Sequence, residues 1–324
     1  MPISRRKNRF HFLISMSMLL LAALACAKGG TPVPDDASMT SGTILHEGLE
    51  RNYVTLVPAS YEDDERAPLV LALHGGGGDA ERMCRLKGGV QELAEEGEFI
   101  VVCPDGVENH WNDGRAFDKW RAHAEDIDDV GFLLSLIDII SEDYPIDPDR
   151  IFVTGMSNGG KMSLRLACEA ADTFAAVAPV IASLPADLDC QPSEPISILI
   201  MNGMEDPLVP WDGGQVHFYR QELGEALSTP DTVAFWVSEN GCDPTPVSEW
   251  LLDADLEDKT RIKKDVYSKC DTHTSVVLYA VEGGGHTWPG GSQYVPEMLI
   301  GRVSHDLHAG EAIWNFFTSE GVSH

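Results

Sequence analysis

Six short stretches of this chain are apolar almost from end to end: 68–73, 99–102, 151–154, 174–180, 196–201 and 275–281. A strand with one wet face alternates apolar and polar residues, so a strand that is apolar throughout has both faces covered. Between these stretches lie segments with helical patterning at 80–95, 127–140, 158–168 and 308–318, and acids crowd the start of the second. Tyr53-Val54-Thr55-Leu56-Val57 alternates and reads as an earlier strand. Strand and helix taking turns in this way predict an α/β fold, with a mostly parallel sheet and helices on both faces.

The 324 residues lie near the size at which a single core stops growing, so one large domain is expected. Its amino-terminal border is set by two segments. Arg5, Arg6, Lys7 and Arg9 precede an apolar run that ends in Ala23-Leu24-Ala25, the order of an export signal over residues 1–25. The apolar run is shorter than the roughly 20 residues that cross a bilayer. Cys26 occupies the position of a lipidated cysteine in bacterial lipoproteins, which makes it a candidate lipid anchor. Residues 26–43 are rich in Gly, Pro, Asp, Ser and Thr and read as a flexible leader, so the folded body is expected over 44–324. The expected location is extracellular or periplasmic, with membrane tethering through Cys26 as the second form of it.

Charge narrows the partners. With 23 Lys and Arg against 52 Asp and Glu, the formal charge is −29, which repels nucleic acid and anionic membranes. No stable protein partner is implied. Past Cys26 there are six cysteines, Cys84, Cys103, Cys168, Cys190, Cys242 and Cys270, an even number suited to disulfides in an oxidising compartment. Six cysteines allow 15 connectivities, and sequence does not choose among them.

The chemistry centres on Gly155-Met156-Ser157-Asn158-Gly159. The pattern is weak by itself, but here a strand precedes it and a helix follows, the setting of a nucleophile elbow. A glycine-rich phosphate loop would need Ser or Thr after Lys161, where Met162 stands. A serine attacks an ester only with a base to take its proton and donors for the oxyanion. His74-Gly75-Gly76-Gly77-Gly78 ends a buried strand where such hydrolases place one oxyanion donor, so Gly76 and the amide of Asn158 are the expected pair.

In this fold the acid and the histidine follow the serine. His286 stands on a loop after a predicted strand, between Gly283-Gly284-Gly285 and Thr287-Trp288-Pro289-Gly290, and is the expected base. Asp206, just past the run 196–201, is the expected acid, with Glu205 and Asp212 as rivals. Trp211 and Trp288 flank acid and base and are candidates for substrate binding, with burial in the core as the competing reading. Neither a metal site nor a cofactor is expected: there is no His-Glu-x-x-His, no dinucleotide fingerprint, and the acids at 125–129 lack the pattern of a calcium loop. Residues 241–270, of mixed charge and weak periodicity, are expected either to shape the rim of the site or to form an inert insertion.

Together with Trp111-Asn112-Asp113-Gly114, Asp128-Asp129-Val130-Gly131-Phe132 and Phe174-Ala175-Ala176-Val177-Ala178-Pro179, the serine and histidine motifs resemble the secreted polyhydroxybutyrate depolymerase and feruloyl esterase group of the α/β-hydrolase superfamily. The resemblance runs from about residue 50 onward. It implies a serine carboxylesterase with Ser157, Asp206 and His286 as its triad, acting through an acyl-enzyme on small or polymeric esters, feruloyl-type or hydroxyalkanoate. It also implies Cys242–Cys270 and Cys168–Cys190 disulfides, whereas Cys84 and Cys103 stay unassigned. A hydrolase-fold lipoprotein that binds a ligand without turnover is the alternative.

Overall fold

A computed structural model describes residues 38–62, 65–97, 99–218 and 220–320. The export signal at 1–25, Cys26 and most of the leader lie outside the described residues. The strands are β1 (Ser38–His46), β2 (Leu49–Val57), β3 (Ala67–Leu73), β4 (Ile100–Pro104), β5 (Ile146–Met156), β6 (Ala176–Val180), β7 (Ser197–Gly203), β8 (Gly214–Phe218), β9 (Gln221–Ala226), β10 (Val247–Trp250), β11 (Arg261–Tyr267) and β12 (Val276–Glu282). Ten of them form one sheet in the order β1-β2-β4-β3-β5-β6-β7-β12-β11-β10, and β8 and β9 pair as a separate hairpin. The centre, from β4 to β12, is parallel, and antiparallel pairs close both edges.

The helices are α1 (Ala80–Met83), α2 (Ala94–Gly97), α3 (Arg121–Ala124), α4 (Asp129–Asp143), α5 (Asn158–Glu169), α6 (Thr229–Glu239), α7 (Glu297–Ile300) and α8 (Ala309–Glu320). They explain the unbroken apolar runs. Leu69, Leu71 and Leu73 of β3 face one core with α4, α5 and α6, while Val70 and Ala72 face a second core with α1 and α8. The same division recurs at Ile198 and Ile200 against Leu199 and Met201 of β7. Every position of a central strand is therefore inside, and the sequence shows no alternation there. This is the α/β-hydrolase architecture in a single domain.

Three expectations change. The body starts no later than Ser38, because 38–43 pair with β2 as part of β1 rather than lying in a leader. The helix expected over 80–95 breaks into α1, a 3₁₀ turn at Val90–Leu93 and α2. Gly88, at positive φ, bends the chain there, and its carbonyl accepts the Trp288 indole N–H. Residues 241–270, where weak periodicity suggested no regular element, contribute β10 and β11, which lengthen the sheet beyond β12.

All six body cysteines are paired, as Cys84–Cys103, Cys168–Cys190 and Cys242–Cys270. The first joins the carboxyl end of α1 to β4, which the sequence alone left open. Closing loops of 19, 22 and 28 residues is worth about 3 kcal/mol apiece in the chain-entropy account.

Candidate active site

Ser157 is the single residue between β5 and α5, with φ 55° and ψ −114°. Such a backbone is strained for a side chain larger than glycine and persists only where the surroundings fix it. Ser157 N–H donates to Val180 O (2.9 Å) and Ser157 O accepts from Lys161 N–H (2.9 Å), so both sides of the turn are held. A methyl group on Gly159 would strike the carbonyls of Leu73 and His74, and one on Gly155 would strike Gly159 O. These two glycines let the helix start directly against β3, which lifts the serine out of the turn.

His286 lies on the loop after β12, 4% exposed. Its approach depends on close backbone packing: a methyl group on Gly203 would collide with the carbonyls of Gly284 and Gly285. Gly285 N–H donates to Arg302 O (3.0 Å), and the Tyr294 hydroxyl donates to His286 O (2.8 Å). The ring bridges two side chains. Nδ1 lies 2.7 Å from Asp206 Oδ2 and Nε2 lies 2.9 Å from Ser157 Oγ. A carboxylate accepts only, so Nδ1 carries the proton and Nε2 offers its lone pair to the serine hydroxyl.

Asp206 is 7% exposed, and its Oδ1 accepts from Leu208 N–H (2.7 Å) and Val209 N–H (2.9 Å). Those bonds aim Oδ2 at the imidazole. The rivals point elsewhere: Asp212 is exposed, and the side chain of the exposed Glu205 lies 3.9 Å from Arg302. Although half of Tyr294 is exposed, its hydroxyl points inward, and desolvation there, and then the nearby Asp206 charge, push it above the usual phenol range. Tyr294 therefore stays a neutral donor to the histidine loop.

The glycine loop lies beside the serine, since a methyl group on Gly75 would stand 3.6 Å from Ser157 Cβ. Gly77 N–H donates to Asn109 O and Gly78 N–H to Gly75 O, both 2.9 Å, whereas Gly76 N–H meets no acceptor among the described residues. A methyl group on Gly76 would stand 3.2 Å from Trp120 and 3.3 Å from His110, two rings packed 3.9 Å apart. Asn158 N–H belongs to the first turn of α5, where amides have no partner within the helix.

The two candidate tryptophans differ. Trp211 is half-buried against the core under α6. Trp288 is 2% exposed in the core beneath α8 with its N–H on Gly88 O (2.8 Å), so it anchors the histidine loop and presents no face to a substrate. Four buried residues escaped sequence reasoning: Trp111 and Asp113, bonded to Asn158, Lys161, whose N–H donates to Ser157 O, and Arg115, which holds Asp113. The Trp111-Asn112-Asp113-Gly114 motif was the available signal, and it carried no assignable role by itself.

Among the described residues, one set of acidic and histidine side chains gathers closely enough for a metal: His46, Glu47 and Asp128, with donor atoms within 4.8 Å of one another. Asp128 is already engaged, accepting Gly131 N–H (2.9 Å) as the cap of α4 and bonding His46 Nε2 (3.1 Å). It lies in a helix cap rather than in the serine site.

A parallel sheet bearing a serine on a strained strand-to-helix turn, bridged by histidine to a buried aspartate, defines a protein of the α/β-hydrolase class. The Esterase family model matches residues 48–290, and the chain belongs to that family of carboxylic ester hydrolases. The chain is 30% identical to "Putative esterase NocK" of Nocardia uniformis subsp. tsuyamanensis over 289 residues, 87% of this chain and 83% of that one. It is 27% identical to Feruloyl esterase C of Emericella nidulans over 254 residues, 77% of this chain and 80% of that one. The solved acetyl xylan esterase from Aspergillus awamori superposes with a TM-score of 0.57 at 14% identity, covering 87% of this chain and 99% of that one.

Proposed function

We propose that the protein is an exported serine carboxylesterase with Ser157 as nucleophile, His286 as general base and acid, and Asp206 as the carboxylate that orients and stabilises the imidazole. The observation that carries this reading is the buried relay from Asp206 through His286 to Ser157, with steps of 2.7 and 2.9 Å. Ser157 Oγ bonds to the ester carbonyl carbon while its proton passes to His286 Nε2. The developing oxyanion is received by the amides of Gly76 and Asn158. Collapse breaks the ester C–O bond, and the leaving alkoxide takes the proton from the imidazolium. Water, deprotonated by the same nitrogen, then bonds to the acyl carbon; the bond from that carbon to Ser157 Oγ breaks, Oγ takes the proton back from His286, and the acid leaves.

The names of the fungal relatives favour feruloyl-type esters over hydroxyalkanoates as substrates, and the half-buried Trp211 is the remaining candidate contact of the original two. Three disulfides support an oxidising, extracellular setting. The test is labelling with a fluorophosphonate. The wild-type chain is expected to be labelled at one site and to lose ester turnover in step, and Ser157→Ala to fold without labelling. A Ser157→Ala protein labelled as fast as wild type removes Ser157 from the mechanism.

A further inference from the structure

The loop between β4 and α3 carries Trp111, Asn112 and Asp113, and all three are buried within reach of the serine turn. Asn158, the residue after Ser157, is 2% exposed. Its side-chain amide is bonded to this loop through its oxygen and both of its N–H groups. Oδ1 accepts from Trp111 N–H (2.8 Å), and Nδ2 donates to Trp111 O (2.9 Å) and Asp113 Oδ2 (2.7 Å). One acceptor and two donors use both N–H groups and fix the amide's orientation, because exchanging N and O would oppose like groups at each contact.

The same loop also grips the glycine turn. Trp111 Nε1–H donates to His74 O (3.0 Å), the carbonyl at the root of the glycines. The His74 ring continues the hold: its Nε2 accepts from Gly106 N–H (3.0 Å), so the proton is on Nδ1, which donates to Gly75 O (2.8 Å). Burial pushes the His74 imidazole down, in keeping with a ring that must stay neutral to accept that bond.

The loop is tied in turn to the scaffold. Asn112 N–H donates to Asp129 Oδ2 (2.7 Å) at the start of α4, Asp129 is paired with Arg51 (2.6 Å), and Arg165 of α5 donates to Asn112 O (2.8 Å). Asp113 is held by Arg115 Nε and Nη2 and by His123 Nε2, at 2.7 to 3.0 Å.

We infer that residues 111–113 are a positioning brace that aims both amides of the oxyanion hole, Asn158 through its side chain and Gly76 through His74, whose carbonyl takes the Trp111 indole N–H and whose ring holds Gly75 O, the carbonyl of the same peptide unit as the Gly76 N–H. The inference rests on the serine-esterase reading above. Its physical basis is that oxyanion donors act by being fixed in advance; losing one outright costs roughly 10²–10³ in turnover, so misdirecting one should cost less. The two donors follow different strands, Gly76 in the loop after β3 and Asn158 at the start of α5 after β5. A single loop bonded to both sets their separation, which neither strand can do alone.

Three substitutions test it: Asn158→Ala, which keeps the backbone amide and removes only the grip, Trp111→Phe, which keeps the ring and removes the N–H, and Asp113→Asn. Turnover of 4-nitrophenyl acetate and inhibition by a trifluoromethyl ketone, which forms a tetrahedral oxyanion on the enzyme, are measured well below each variant's melting temperature. Each of the first two should lower kcat roughly 10- to 100-fold with KM within about threefold, and weaken the ketone in proportion. Combining Asp113→Asn with Asn158→Ala should add no more than about twofold to the worse single variant, since both break the same connection. A brace that only stabilises the fold would lower the melting temperature and leave kcat and ketone affinity unchanged, and that result overturns the inference. Full multiplication of the two effects overturns it as well. If Asp113→Asn does not fold, Trp111→Phe and Asn158→Ala still decide the matter. Failure of the reading beneath it is separate, since that appears as an active Ser157→Ala.

Discussion

Two buried carboxylates, Asp206 and Asp113, flank the serine turn, and each is bonded to a histidine, yet they are built in opposite ways. Asp206 receives two neutral backbone amides and the His286 ring, with no arginine or lysine among the described residues bonded to it. Asp113 receives the Arg115 guanidinium, His123 and the Asn158 amide. Burial would push the Asp113 carboxyl up, but Arg115 and the His123 bond hold it far below the usual carboxylate range. A carboxylate already matched by a permanent cation is a fixed strut. One without such a cation keeps its charge for an imidazolium that exists only during the reaction, as the proposed mechanism requires.

The comparison breaks if the two acids prove interchangeable, and the largest effects should come from the Asp206 side. His286→Ala is expected to lower kcat by roughly 10⁵- to 10⁶-fold, leaving the residual rate that oxyanion donors and binding provide. Asp206→Asn should cost roughly 10⁴, because the amide presents the wrong hydrogen-bond partner to Nδ1 and favours the wrong tautomer. Glu205→Gln, next to it but exposed, serves as the control and should keep near-wild-type turnover in the same steady-state assay. Asp113→Asn belongs with the brace, at roughly 10- to 100-fold. Equal losses at Asp113 and Asp206 would erase the distinction, and a larger loss with Glu205→Gln than with Asp206→Asn would move the acid by one residue.

The same contrast explains what was legible in the sequence. The relay depends on short backbone signals: glycines where a Cβ would collide, as at Gly155, Gly159 and Gly203, and loops directly after apolar strands. Such requirements restrict residue type locally, so Ser157, His286 and Asp206 could be selected among many serines, histidines and acids. Asp113, Arg115 and Lys161 are defined by what surrounds them in space. Arg115 Nη1, for example, donates to Leu223 O of β9, 108 residues away. Nothing near Arg115 in the chain announces that partner. The central strands were legible for a related reason, since burial on both faces leaves a run with no polar break. The edge strands β10 and β11 were not, because their outward positions are charged, as at Glu249, Lys263 and Lys264. Trp288 shows the limit of reading a motif: its neighbourhood to His286 in sequence is real, but its ring is turned inward.

Lys161 sharpens the comparison from a third side, with the smallest expected effect on turnover. It lies four residues after Ser157 on α5, is 1% exposed, and its ammonium makes no hydrogen bond or ion pair with any described residue. Burial, reinforced by the like charge of Arg115, pushes its amine down to about 7 against the pull of Asp113 and Asp206. The two acids are thus each spoken for, and neither is close enough to pair with this cation. In the unfolded chain a lysine titrates near 10.4. Between about pH 7 and that value the unfolded chain therefore binds a proton that the folded chain has released. Stability owed to this group rises with pH across that window, by roughly 1.4 kcal/mol per unit, and is flat below it. Lys161→Met keeps the length of the side chain and removes the titration. Its melting temperature should exceed that of the wild type most at or below pH 7, and the gap should close as pH approaches 10. A gap that stays constant from pH 6 to 9.5 would mean that the amine is charged throughout and has found a partner, most simply one of the two carboxylates contrasted above.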